Sequence, residues 1–351
     1  MTPSVATGRE GTMQQIKRAL YKALYDLAGA PAEEVAGHVQ RLYAAPASWR
    51  GSAPLDEMSG VEAITERVWR PLLTAMPDLE RRDVIFVGGV HQGHTMIAAA
   101  GHYCGTFVRD WLGIPATGRT AYLRYGEVYR VEDGRVTQST CLWDILDLMR
   151  QAGVWPLTAS LGEEQMWPAP LTGDGIVLRE TDPAQSAASL AQTLAMHKTL
   201  GDYDDTRGLG RQGLLDMEQK IHWHPKMMWY GPAGIGTTRG LAGFVDGHQL
   251  PFRIAFPNRR GGNHYIRIGD GPYSVTGGWP SIHTKHLGGG FLGLGPTGRD
   301  ITMRVMDFYL HHEGLIRENW VPIDMIDILR QMGVDVMDRM AALYPGRVRR
   351  R

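Results

Sequence analysis

The stretch Trp111–Val154, WLGIPATGRTAYLRYGEVYRVEDGRVTQSTCLWDILDLMRQAGV, occurs a second time as Phe291–Val334, FLGLGPTGRDITMRVMDFYLHHEGLIRENWVPIDMIDILRQMGV. The two copies align without a gap at a constant offset (291 − 111 = 180), matching Gly113 with Gly293, Arg119 with Arg299, Tyr129 with Tyr309 and Asp144 with Asp324. The same offset pairs Trp49 with Trp229, Gly60 with Gly240, Pro71 with Pro251 and Pro77 with Pro257. A repeat this long is most of a domain, so the chain is a duplicated fold and not a solenoid.

Within one copy, Thr120 to Glu132 has the alternation and the β-branched and aromatic content of a strand. Glu132-Asp133-Gly134 then turns the chain, and Arg135 to Trp143 returns as the second strand of a hairpin. Asp144 stands where a helix N-cap belongs, before the apolar run ILDLM and a closing Gly153. The second copy repeats the pattern with His312-Glu313-Gly314 as its turn and Asp324 as its cap.

This hairpin-then-helix, preceded by LGIPATGR in one copy and LGLGPTGR in the other, resembles the SnoaL-like polyketide cyclase family of the nuclear transport factor 2-like superfamily. The resemblance spans residues 15–153 and 188–333. It implies an α+β fold with two tandem cone-shaped barrels, each a curved mixed sheet wrapped on helices, packed sheet to sheet. Domain bounds of 12–153 and 184–343 follow, joined by a Pro/Gly-rich linker over 154–183 that is expected to lie extended on the surface, with Trp155 and Trp167 packing it against a domain.

Composition narrows the function. The 351 residues suit two domains of ordinary size, and Lys+Arg balances Asp+Glu at 37 each. No overall field draws nucleic acid or an anionic membrane. Two cysteines, no membrane-length apolar run and no signal-peptide core point to a reducing compartment, the cytoplasm. The basic tail Arg347–Arg351 reads as a solvated end, and residues 1–11 as disordered. Helices are expected over 12–28, 31–43, 59–76 (capped by Ser59), 184–200, 206–219, 241–256 and 335–343, with a loop over 45–56.

Alternation on the hairpin puts Leu123, Tyr125, Glu127 and Tyr129 on one face, and Met303, Val305, Asp307 and Tyr309 on the matching face. In SnoaL-like cyclases a pocket His and an Asp on these strands carry the acid–base step. Carried over by position, the His falls on Glu127 and Asp307, and the Asp on Cys141 and Val321. Both copies therefore lack the cyclase pair but keep a carboxylate in each cone. A carboxylate desolvated by aromatic walls is a general base for a proton α to a carbonyl.

The candidate catalytic residues are thus Asp307, His283, His224 and Glu127, with His102 a further donor beside Glu127. Substrate contacts are expected from Trp229, Tyr230, Trp279, His286, Tyr309, Asn319, Trp49 and Tyr103. Pairing of Glu127 or Asp307 with Arg124 or Arg304 is the structural alternative. His222/His224 and His283/His286 invite a metal, but no H-E-x-x-H or carboxylate triad accompanies them, and neither a metal nor a cofactor is expected.

Three functions stay open: a cofactor-independent isomerase, lyase or cyclase acting on a small carbonyl or hydroxylated substrate; a non-catalytic binding or dimerisation module; and a His-metal hydrolase or lyase. A homodimer is compatible with each, although the duplication can itself supply a dimer-like interface.

Overall fold

The computed structural model describes residues 12–201 and 210–343; the expectations for residues 1–11, for the start of the 206–219 helix and for the tail 347–351 lie outside the described residues. Each copy builds its own sheet against its own helices. In the first unit, α1 (Met13–Ala28) starts at Thr12, which accepts from Gln15 N while the Gln15 side chain accepts from Thr12 N. This reciprocal pair satisfies two of the helix's orphan donors. Then come α2 (Val35–Leu42), β1 (Tyr43–Gly51), β2 (Glu57–Ser59), and a broken helix of α3 (Val61–Ile64), a π-turn (Thr65–Trp69) and α4 (Arg70–Ala75). The strands β3 (Glu80–His91), β4 (His94–Thr106), β5 (Thr120–Glu132) and β6 (Arg135–Trp143) precede α5 (Ile145–Gln151).

The second unit follows the same plan. It runs α6 (Pro183–Gly201), α7 (Gly210–Asp216), β7 (Trp223–Tyr230), β8 (Thr237–Arg239), α8 (Gly240–Phe244), a π-turn (Val245–Gln249) and α9 (Leu250–Ala255). The short β9 (Arg260–Gly261) then leads to β10 (His264–Asp270), β11 (Tyr273–Lys285), β12 (Asp300–His312), β13 (Leu315–Trp320), α10 (Met325–Gln331) and α11 (Val336–Leu343). The sheets run β2-β1-β6-β5-β4-β3 and β10-β11-β12-β13-β7-β8, with β9 on β11. They are mixed, because β1/β6 and β7/β13 pair parallel while their neighbours pair antiparallel.

Two local expectations give way to tertiary context. The segment over 45–56 is largely strand, because β1 finds a parallel partner in β6; Pro46 is tolerated there at a register shift between Tyr43 and Ser48. The helix expected over 59–76 with Ser59 as its cap instead starts at Val61, with Gly60 (φ 87°) at the cap, since Ser59 ends β2.

Alternation sends the strand side chains to two different cores. Leu123, Tyr125 and Tyr129 face the helices with Leu24, Val39 and Leu72, and in the second unit Met303 and Tyr309 do likewise. Their neighbours Val128, Leu142, Met306, Phe308 and Trp320 form a second core where the convex faces of the two sheets meet. Gly126 marks the closeness of that meeting: a Cβ there would lie 2.3 Å from Pro322 and 3.1 Å from Phe308.

The two units embrace with pseudo-twofold symmetry. Asp144 caps α5 and accepts from Ala233 N of the other unit at 2.9 Å; Asp324 caps α10 and accepts from Ala53 N at 3.0 Å. Arg124 and Arg304 pair with these caps at 2.7 and 3.0 Å, which leaves them unavailable to Glu127 and Asp307. The linker does not merely lie on the surface. Glu163 bridges to Thr237, Trp167 is buried in the sheet–sheet core, and Phe86 exchanges hydrogen bonds with Gly175 and Val177. No helix among the described residues is long and apolar enough to cross a membrane.

Candidate active site

In the first cone Glu127 is fully buried, and its carboxylate is saturated. Arg81 donates to it at 2.6 Å, Tyr103 at 2.8 Å, Trp143 Nε1 at 2.8 Å and Tyr129 at 2.5 Å. Arg81 also holds Asp83 at 2.8 Å, and Asp83 in turn accepts from Tyr125 at 2.7 Å. Trp49 and Trp69 pack edge-on against Trp143 with ring centres at 6.0 and 5.9 Å. A carboxylate with four donors, one of them a paired guanidinium, has no acceptor capacity to spare, so this cone is a satisfied polar core. His102 lies outside it: its Nε2 accepts from the linker's Trp167 N at 3.2 Å.

The second cone keeps the carboxylate and loses its clamp. Asp307 sits on β12 where Glu127 sits on β5, and Tyr309 matches Tyr129. The other partners are gone, because Tyr103 pairs with Leu123 and Arg81 whereas the matching Met303 pairs with Ile282, which pairs in turn with Gly261. At the repeat offset Tyr125 becomes Val305 and Trp143 becomes Ile323. Asp307 is left partly accessible, hydrogen-bonded to Tyr309 and, at 3.5 Å, to Asn319 Nδ2. Desolvation pushes its carboxyl up from 3.8 to about 7, against the opposing pull of those two hydrogen bonds.

Beyond Tyr309 stands His197 on α6, with Nε2 at 2.8 Å from the tyrosine hydroxyl. Burial, helped by His264 and Arg267, lowers His197 to about 4, so the ring is neutral near pH 7. The wall is aromatic. Trp229 stacks on His248 at 4.2 Å, His248 on Phe252 at 5.2 Å, and Phe256 lies 5.4 Å from His286. Two ring nitrogens here, His248 Nδ1 and His286 Nε2, are buried without a hydrogen-bond partner. His286 Nδ1 is occupied by Thr297 Oγ1 at 3.2 Å. Burial lowers the pKa of both rings, His248 to about 3. An unpartnered polar atom in such a wall is costly unless something polar is bound against it.

The remaining expected residues are placed elsewhere. His283 is exposed, because the β11 register shift between Gly278 and Ile282 brings Ile282 to the inner position. His224 accepts from Lys226 N at 2.9 Å and lies 3.5 Å from Glu313. Tyr230 faces the sheet–sheet core, donating to Glu318 at 2.7 Å and packing on Trp320. Trp279 lies at the seam between units, donating to Glu57 at 2.8 Å beneath Arg304. His286 stands beyond the Asp300 end of β12, seven strand positions from Asp307. The structure therefore brings together Asp307, Tyr309, Asn319 and Trp229, and adds His197 and His248, which sequence reading passed over. Both lie on helical stretches, where the hairpin alternation gives no guide. Among the described residues no three His, Cys, Asp or Glu side chains are grouped to hold a metal.

A family model for SnoaL-like polyketide cyclase matches residues 38–152 and 218–332. No curated protein matches. Solved structures that resemble the chain include a SnoaL-like candidate polyketide cyclase from Jannaschia sp. CCS1, at 16% identity, covering 41% of this chain and 95% of that one, with a TM-score of 0.33. IdmH from Streptomyces antibioticus, described as a candidate polyketide cyclase, matches at 18% identity, covering 39% and 98%, with a TM-score of 0.33. A nuclear transport factor 2-like protein from Salmonella enterica serovar Typhimurium LT2 matches at 12% identity, covering 37% and 88%, with a TM-score of 0.30.

Proposed function

This chain belongs to the SnoaL-like polyketide cyclase family as a tandem duplication, and we propose that its second cone is a cofactor-independent acid–base site while its first is structural. The observation that carries this reading is the contrast at one repeat position. Glu127 is held by four donors and fully buried; Asp307 is partly accessible with a pKa near 7. A base poised near neutrality is what proton abstraction next to a carbonyl needs.

In this reading a small carbonyl or hydroxylated substrate lies against Trp229 and Phe252. Asp307 takes the α-proton, and the C–H electron pair moves onto the carbonyl oxygen. A neutral His248 N–H, stacked on Trp229, faces that oxygen and stabilises the developing charge. Returning the proton to another carbon gives an isomerase, expelling a β-hydroxyl as water gives a lyase, and attack of the enolate carbon on a second carbonyl gives a cyclase. The chemistry needs a small-molecule substrate and no nucleic acid, membrane or cofactor. Two unpaired cysteines support a cytoplasmic setting. A homodimer would use another surface, since the convex sheet faces are covered within one chain.

The test is deuterium exchange at the α-carbon of aryl ketones and cyclic enones, followed by NMR in D₂O. Wild type should exceed the Asp307→Asn variant by at least about a hundredfold in rate. Equal rates in both, with the fold intact, would refute the assignment.

A further inference from the structure

A cleft of about 250 Å³ opens at the seam between the two units, away from either cone. Its floor is the buried Met96, Val128 and Thr140 of the first sheet. Its walls come from three places: the tight β3–β4 turn with Gln92 and Gly93 at positive φ, the edge of β5–β6, and the start of β10. That turn sets His91 opposite His94, while β10 contributes His264 and Tyr265. Arg50 and Arg130 complete the polar lining.

The lining carries two guanidiniums and three imidazoles, and no carboxylate. The nearest acids stand behind it: Glu132 holds Arg130 and, at 3.4 Å, His94, and Glu57 lies 3.7 Å from Arg50. One buried ring nitrogen, His91 Nε2, has no hydrogen-bond partner, and the Tyr265 hydroxyl meets that of Thr140. Tyr265 is built into place, since its ring lies over Gly277, where a Cβ would come within 2.7 Å of the hydroxyl. Two guanidiniums converging with imidazole and amide groups, and no carboxylate in the lining, describe an anion site. At about 30 Å³ for each water-sized group, the space holds roughly eight non-hydrogen atoms.

We propose that this interdomain cleft binds a small oxyanion, a carboxylate or phosphate of up to about eight non-hydrogen atoms, held by residues of both units. The first unit supplies most of the lining and the second closes it with Asn263, His264 and Tyr265, so the site is a product of the duplication. Its occupant would tie the β3–β4 turn to β10 and stabilise the pairing of the units by linkage.

The test is isothermal titration calorimetry on the full chain at low ionic strength, with inorganic phosphate and with succinate as probes. We expect saturable one-to-one binding of at least one of them, weakened at least about tenfold in His91→Gln and in Arg130→Gln. Arg119→Gln, which lies on a separate cleft beside α5, should bind as wild type. Tyr265→Phe removes only a hydroxyl, and its weakened binding would carry the same meaning should His91→Gln fail to fold. Saturation by phosphate alone identifies a phosphate site, and by succinate alone a carboxylate site. No saturable binding of either, or equal binding by wild type and all cleft variants, would overturn the proposal. Because the readout is binding, its failure would leave the assignment of Asp307 untouched.

Discussion

His197 Nε2 stands 2.8 Å from the hydroxyl of Tyr309, and Tyr309 is hydrogen-bonded to Asp307, so a helix side chain and a strand carboxylate are joined through one phenol. The phenol has a single proton. With Asp307 ionised, Tyr309 donates to it and accepts from His197 Nε2–H; once Asp307 takes a proton, both bonds reverse only as the imidazole moves its own proton from Nε2 to Nδ1, leaving Nε2 to accept. The reversal requires a neutral imidazole, which burial ensures by holding His197 near 4. Tyr309→Phe breaks the chain at its centre and should lower kcat by about 10–100-fold with little change in KM. Steady-state kinetics on any substrate that the α-exchange screen identifies would check it, and an effect confined to KM would count against a relay.

Asp307 should also oppose folding at high pH. Its folded pKa, near 7, lies above its ordinary 3.8, so the folded state holds the proton more tightly than the unfolded state. Stability is therefore lost as pH rises from about 4 through 7, by up to about 4 kcal/mol and by less where solvent reaches the carboxylate. Denaturant melts of Asp307→Asn should match wild type near pH 4 and exceed it near pH 8. A difference independent of pH would place the group in water.

Glu127 should behave in the opposite way, as structure. Glu127→Ala strands Arg81, Tyr103, Tyr129 and Trp143 without their shared acceptor, and breaking a buried ion pair from one side costs about 3–5 kcal/mol. Chemical denaturation should show that loss. Any variant at this position that still folds should retain α-exchange activity, which resides in the other cone.

The unpartnered nitrogens of His248 and His286 make a separate prediction. His248→Phe keeps the stack on Trp229 and removes a buried polar atom with no partner, so stability should hold or rise by about 0.5–2 kcal/mol. Turnover should fall at the same time. Paired thermal melts and exchange rates test this, and a variant that loses stability would show that the nitrogen has a structural partner.

Much of this was legible in the chain. The hairpin alternation at Leu123–Tyr129 and Met303–Tyr309 places Glu127 and Asp307 on the inner face, and the LGIPATGR and LGLGPTGR loops fix the family. What hid the rest was register. The offset of 180 holds along the hairpin, but β11, as long as β4, is shifted in register between Gly278 and Ile282, so His283 does not take the place of Tyr103, and Trp279 falls at the seam. Tyr230 adjoins Trp229 in sequence, but adjacent strand residues face opposite ways, so it turns to the sheet–sheet core. His248 sits on the π-turn shared by both units at 65–69 and 245–249, a device that no sequence period reports.

The central claim is that Asp307 is a base poised near neutrality, and the most direct measurement of it needs no substrate. Carboxyl ¹³C NMR of aspartate-labelled protein, with the signal identified by its disappearance in Asp307→Asn, gives the titration of that one group. A midpoint near 7 is the result this account predicts. A midpoint near the ordinary 3.8 would mean that the second cone is as wet as bulk solvent, and would contradict it.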